Sequence, residues 1–275
     1  MARIAPLLLA MLLAACAENR APASTNPAIE AATPEAAEAT RTSDVVHLDF
    51  EVGSFAGWST KRLVAAYSAD VETQRVRTGR YAARFELRHG DRVSEGWRAE
   101  LRDPYNALYD RDTWYGFSTY LPLDYPEDHD YSCVLAQWHD QAAVGEGSGK
   151  PPIAHRIKAG RFYVTTEASP TATTNPLDKG VPYETLRAIK GVWHDFVYRV
   201  RWSRSDDAEI EMWKDGERIF GYRGPLGYAD ETKGPYFKFG MYCGEDVSEP
   251  HVVYHDNYGR GLSYQDVDPS LTRVP

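Results

Sequence analysis

The sequence predicts an all-β protein, a jelly-roll sandwich with a concave groove on one sheet. Three observations carry that expectation. Runs that alternate apolar and polar residues, rich in β-branched and aromatic side chains, recur along most of the chain, while helical spacing of apolar residues is scarce. Turn signals punctuate these runs at short intervals, as in sandwiches and jelly rolls. Three of the runs have one face fit for a core and a second face loaded with Arg, Gln, His, Lys and Tyr.

Residues 1–16, "MARIAPLLLAMLLAAC", lie outside the expected fold. One Arg precedes an apolar run too short to span a bilayer, and small residues lead to Cys16. This is the layout of a secretory signal, and Leu13-Ala14-Ala15-Cys16 resembles a bacterial lipobox. The resemblance implies cleavage before Cys16, lipidation of its thiol and a membrane anchor. No Asp follows Cys16, so an exported lipoprotein of the outer membrane is expected. Residues 17–43 are rich in Ala, Pro, Thr and Glu with almost no large apolar side chain, and read as a disordered tether. Residues 44–275 suffice for one large β domain, expected to be a monomer.

Within that domain the strand-like runs are "VVHLDFE", "YAARFELR", "WYGFSTYLP", "SCVLAQWH", "RFYVTTE", "WHDFVYRVRW", "AEIEMWKDGERIFGY", "YFKFGMYC" and "HVVYHDNYG". Asp215-Gly216 marks a hairpin inside one of them. "VPYETLRAIKG" has room for a single helical turn. "AVGEGSGKPP" reads as a rim loop, and no helix-forming segment follows it as a phosphate loop requires. Cys133 and Cys243 are expected as unpaired thiols, although an exported compartment permits a disulfide.

The 275 residues carry a formal net charge of −9. That balance excludes a nucleic-acid binder, which needs a basic footprint. It does not exclude an anionic polymer held in a local basic cleft. The 7 Trp and 18 Tyr suit sugar stacking and sandwich cores alike.

Strand parity locates the cleft. In "WRAELRD", Arg98, Glu100 and Arg102 share one face; in "AQWHD", Gln137 and His139 do, with Trp138 opposite; in "YFKFGMYC", Tyr236, Lys238, Gly240 and Tyr242 do. A Gly in a strand centre marks close approach of a ligand or a backbone. The sequence has no nucleophile elbow, no HExxH and no paired-Cys metal motif. Arg, Gln, His and Tyr instead suit removal of a weakly acidic proton beside a carboxylate. In a uronic acid the C5 proton is such a proton. Arg and Gln neutralise the C6 carboxylate and stabilise the enolate, while His and Tyr move protons.

These residues resemble the family 7 alginate lyases, which carry an Arg-x-Glu-Leu-Arg strand, a Gln-x-His strand and a Tyr-Phe-Lys-Ala-Gly-x-Tyr strand in this order. Here they are Arg98 to Arg102, Gln137 to His139 and Tyr236 to Tyr242. Trp138 and Phe239 look more like the heparin lyase I-like and glucuronan lyase branch of the same concanavalin-like clan. The resemblance covers about residues 45 to 262. It implies an endo-acting polysaccharide lyase that cleaves 1,4-linked uronic-acid chains by β-elimination. Glucuronan or alginate is favoured over a sulfated heparin-type chain, because no long basic run is present. By the same resemblance Arg98 and Gln137 neutralise the carboxylate, and His139 is base or neutraliser. Tyr242 is the acid, and the base as well in a syn elimination. Lys238 and Tyr236 line subsites, Glu100 and Arg102 brace Arg98 at the substrate with Arg102 also a candidate substrate contact, and His155 and Arg156 are candidate groove residues.

Two other functions remain open. A glycoside hydrolase would use Asp207, Glu209 and Glu211 in "DAEIEMW"; a non-catalytic carbohydrate-binding lipoprotein would use the groove without turnover. No cofactor is required for the elimination. "LDFEVG" and "YHDNYG" resemble the paired terminal strands that hold structural Ca²⁺ in many jelly rolls, with Glu51 and Asp256 as hard oxygen donors. His194, set among aromatics, is expected to be structural.

Overall fold

The computed structural model describes residues 44–93, 96–127, 129–141, 149–169, 186–228, 231 and 233–271. Cys16, the tether and most of the "AVGEGSGKPP" loop lie outside them.

Apart from a separate parallel pair, β10 (Ala168–Ser169) and β15 (Gly227–Tyr228), two antiparallel sheets stack face to face. One runs, in spatial order, β14 (Glu217–Gly224), β13 (Ala208–Lys214), β12 (Trp193–Arg201), β6 (Asp112–Tyr120), β17 (His251–Gly261), β4 (Ala82–Leu87) and β3 (Ala69–Glu72), with β1 (Val46–Leu48) also paired to β17. The other runs β11 (Leu186–Arg187), β9 (Arg161–Thr166), β8 (Ile153–Lys158), β7 (Cys133–His139), β16 (Tyr236–Cys243), β5 (Trp97–Asn106) and β2 (Thr60–Arg62). Strands β5, β16 and β7, which carry the three polar faces, are consecutive neighbours in this second sheet. The expected hairpin joins β13 to β14. Asp215 and Gly216 both adopt left-handed φ, +52° and +83°, the conformation of a type I′ turn that matches strand twist.

The core lies between the sheets, and strand alternation puts it there. Tyr115 and Phe117 of β6 and Phe196 and Tyr198 of β12 meet Trp138 of β7 and Phe237 and Phe239 of β16, all almost fully buried. Trp138 lies 4.8 Å from the Tyr198 ring, and Phe237 stacks 4.6 Å from Tyr258. Each such side chain contributes about 1.5–3 kcal/mol by leaving water. Trp138 is therefore core, while Gln137 and His139 on its flanks face the other way.

One expectation is corrected, and one falls partly on residues 181–185, outside the described residues. Cys133 and Cys243 form a disulfide, with Cα atoms 4.0 Å apart. They lie 110 residues apart in sequence, yet the register of β7 against β16 sets them directly opposite. The helical turn expected in "VPYETLRAIKG" is not found over the described residues 186–191. Leu186 and Arg187 pair instead with Phe162 and Arg161 on the edge of β9, and Ala188 N–H donates to the Gly160 carbonyl.

Candidate active site

Register assembles the site. On β16, Tyr242 sits opposite Arg98, Gly240 opposite Glu100 and Lys238 opposite Arg102 of β5. On its other side Lys238 sits opposite Gln137, and Tyr236 opposite His139. These side chains border a cleft of about 470 Å³ lined by Arg62, Arg98, Lys150, Arg156, Lys238, Gln137, His139, Tyr236 and Tyr242, among others. Among the described residues five cations and no carboxylate line it.

Glu100 lies beneath this surface, 2% exposed. It accepts from Gln137 Nε2, from Arg98 Nη1 at 3.4 Å and from Lys238 Nζ at 3.3 Å. One buried carboxylate thus holds three of the expected substrate groups in register. Burial pushes the Lys238 pKa down, and Glu100 partly offsets that. The Arg98 guanidinium lies over the Tyr242 ring at 4.0 Å. Arg102 does not brace Arg98 directly. It lies over the Tyr236 ring at 3.7 Å and donates to Asn106 Oδ1. Tyr236 in turn stacks on His139, ring centroids 5.5 Å apart. Burial raises the Tyr236 pKa.

His139 Nδ1 is 2.7 Å from Asp140 Oδ1 and 3.1 Å from the Asp140 carbonyl oxygen. The Asp140 side chain is fully buried, and its Oδ2 accepts from Gly149 N–H at 2.8 Å. Arg156 donates to Thr165 Oγ1 at 2.9 Å and reaches Ser132 Oγ at 3.5 Å. It makes no ion pair among the described residues, and burial lowers its pKa.

His155 does not reach the cleft. It is wholly buried against Phe196, 4.4 Å between ring centroids, with Nδ1 2.7 Å from the Tyr198 hydroxyl. Burial drives its pKa down to about 3. Alternation gives the reason: of two adjacent strand residues only one can face the groove, and here it is Arg156. His194 is structural as expected, its Nε2 bound to the Ile189 carbonyl at 2.9 Å. Arg62, Lys150 and Asp140 were missed. Arg62 sits in a three-residue edge strand too short to show alternation, and Lys150 follows the Gly-rich loop. Asp140 directly follows His139, and that adjacency was the available signal.

The hydrolase carboxylates lie elsewhere. Glu209 and Glu211 are on β13, in the opposite sheet, paired with Arg199, Arg218 and Arg223. Asp207 is bound by Ser203 Oγ. Among the described residues, hydrolysis by two facing carboxylates has no pair to use in the cleft.

Glu51, after β1, and Asp256, on β17, both accept hydrogen bonds from one loop, residues 77–81. Arg80 and Tyr81 N–H donate to Glu51 at 3.0 Å, and Arg77 N–H donates to Asp256 at 2.8 Å. No cluster of three His, Cys, Asp or Glu joins them among the described residues, so further ligands would have to be carbonyls or water. Burial and, to a lesser degree, the Glu51 charge raise the Asp256 pKa to about 7. Two carboxylates are hard oxygen donors, a chemically suitable donor set for Ca²⁺.

A family model described as "Polysaccharide lyase" matches residues 50–259. The chain belongs to the polysaccharide lyase family. Its fold agrees with solved members of that chemistry. The endo-β-1,4-glucuronan lyase from the fungus Trichoderma reesei superposes with a TM-score of 0.72 at 18% identity, over 82% of this chain and 99% of that one. Alginate lyase A1-II′ of family 7, bound to a substrate, superposes with a TM-score of 0.57 at 12% identity, over 78% of this chain and 97% of that one. No curated protein matches by sequence. This polysaccharide lyase is therefore an enzyme rather than a carbohydrate-binding lipoprotein without turnover, and its partner is a polysaccharide.

Proposed function

We propose that the enzyme is an endo-acting lyase of 1,4-linked polyuronate, with glucuronan as the favoured substrate, and that it works by β-elimination. One observation carries the reading. Among its described residues, a chain of net charge −9 gathers five cations and no carboxylate around a cleft that also holds His139 and Tyr242. Such a cleft suits a polymer with a negative charge on each sugar. The likeness to a glucuronan lyase, closer than that to A1-II′, favours glucuronate over alginate.

The chemistry follows from the donors. The carboxylate charge resists loss of the C5 proton. Arg98, and the Gln137 amide hydrogen that Glu100 leaves free, neutralise it and stabilise the enolate. His139 or Tyr242 takes the proton, and Tyr242 protonates O4 as it leaves. In glucuronate the C5 hydrogen and O4 leave from one side, so Tyr242 can serve both steps in its phenolate form, with His139 as the acceptor of the phenol proton. Arg62, Lys150 and Arg156 bind carboxylates of neighbouring sugars.

The test is a panel of glucuronan, alginate and heparin, read by the ultraviolet absorbance of the unsaturated uronate and by product size. Glucuronan should react fastest and give a ladder of oligomers early. Reducing ends without the absorbance would remove the lyase assignment, and monomer release alone would remove the endo assignment. Lipidation at Cys16 and residence in the outer membrane belong to the same proposal. A Cys16→Ser variant should then move to the soluble fraction with its specific activity unchanged.

A further inference from the structure

We propose that Asp140 is a positioning residue that fixes the tautomer of His139, so that Nε2 presents a lone pair to the cleft. The two groups within reach of Nδ1, the Asp140 carboxylate and the Asp140 carbonyl, are 2.7 and 3.1 Å away and can only accept. Nδ1 therefore carries the hydrogen. A neutral imidazole has one hydrogen to place, so Nε2 is bare. The carboxylate is itself held: its side chain is fully buried, and Gly149 N–H donates to Oδ2 at 2.8 Å. Tyr236 stacks on the ring from the groove side of the sheet and limits its rotation. His139 is thus set up as a proton acceptor. As a neutral donor to the substrate carboxylate it would need the opposite tautomer.

The catalytic consequence rests on the lyase reading; the tautomer does not. An Asp140→Asn change separates the two. Gly149 N–H still needs an acceptor, so the Asn oxygen turns towards it and the Asn amide turns towards Nδ1. With the Asn amide facing Nδ1, and only the backbone carbonyl of residue 140 at 3.1 Å left to favour the Nδ1–H form, the ring shifts to the Nε2–H tautomer and loses its lone pair on the cleft side. Shape is preserved and proton acceptance is not. In a serine protease the same exchange beside the catalytic histidine leaves geometry intact and lowers kcat by about 10⁴ through the wrong tautomer.

Nitrogen-15 NMR of the His139 ring, at a pH where it is neutral, should show protonated Nδ1 and bare Nε2 in the native protein. The reverse tautomer there overturns the proposal, with no variant needed. In Asp140→Asn the pattern should invert, and kcat on the best uronan should fall by about 100-fold or more while KM stays within about threefold. A folded Asp140→Asn variant with native kcat overturns the role. A native enzyme that eliminates on no uronan removes the lyase reading and leaves the tautomer result standing.

Discussion

At the residue scale Tyr242 separates binding from chemistry. Its ring holds the Arg98 guanidinium at 4.0 Å, and a phenyl ring can hold it as well. Tyr242→Phe thus removes a hydroxyl and leaves the carboxylate-binding Arg in place. Proton transfer by one positioned group is worth about 10²–10⁴ in rate. Turnover should fall by at least about 100-fold, and uronan affinity measured by calorimetry should change by less than about threefold. Unchanged turnover would take Tyr242 out of the chemistry. Asp256 makes a different prediction. Its folded pKa, about 7, lies above the ordinary value of 3.8. A raised carboxylate pKa means that the folded state binds its proton more tightly than the unfolded state. That contribution is full below pH 3.8 and is lost as pH rises to about 7. The loss is on the order of 4 kcal/mol over the window, since each pKa unit is worth about 1.4 kcal/mol. We propose that Ca²⁺ at Glu51 and Asp256 replaces that proton. In chelator the melting temperature should drop between pH 5 and pH 8, and millimolar Ca²⁺ should flatten the slope. Identical curves with and without calcium would remove the ion.

At the element scale β16 is the strand on which the site depends, and its glycine has a definite reason. Gly240 adopts φ +132°, and a Cβ there would sit 2.1 Å from the Ala99 carbonyl oxygen. The close approach is that of the neighbouring strand's backbone. Gly240→Ala would push β16 from β5, where Tyr242 faces Arg98. A loss of about 3 kcal/mol or more in denaturant unfolding is expected, and native stability would contradict it. The disulfide acts on the same strand. It ties Cys243, next to Tyr242, to β7, and a link across 110 residues stabilises by about 5 kcal/mol in the chain-entropy view. Replacing both cysteines with Ser should lower the unfolding free energy by about that much. An unchanged midpoint would show that the link adds nothing.

The same strands show what was legible in the chain. Alternation is local, so one reading of "AELR", "AQWH" and "FKFGMY" separated core from groove, including Trp138 from His139. What depended on register was not legible. Cys133 opposite Cys243, Arg62 reaching the cleft from an edge strand, and the choice of Arg156 over His155 all rest on how strands slide and bulge. Between Val134 and Ala136 the β7–β8 register shifts by one residue, which local periodicity does not show.

At the scale of the whole molecule, charge poses a conflict. The chain as a whole carries −9 and repels a polyuronate, while the cleft attracts it. The two effects differ in range. At about 10 mM salt the screening length is about 30 Å, so the whole protein's charge is felt by an approaching polymer; at 150 mM it is about 8 Å. Salt should first screen the distant repulsion and leave the contacts with Arg98, Arg156 and Lys238, which are partly or wholly shielded from solvent. Further salt should then weaken the contacts themselves. The apparent KM for the polymer should fall and then rise between about 10 and 500 mM salt, whereas a trimer that touches only the cleft should show the rise alone. A polymer KM that climbs steadily from the lowest salt would mean that the cleft potential dominates at every distance. The acidic surface would then play no part in how the chain is captured.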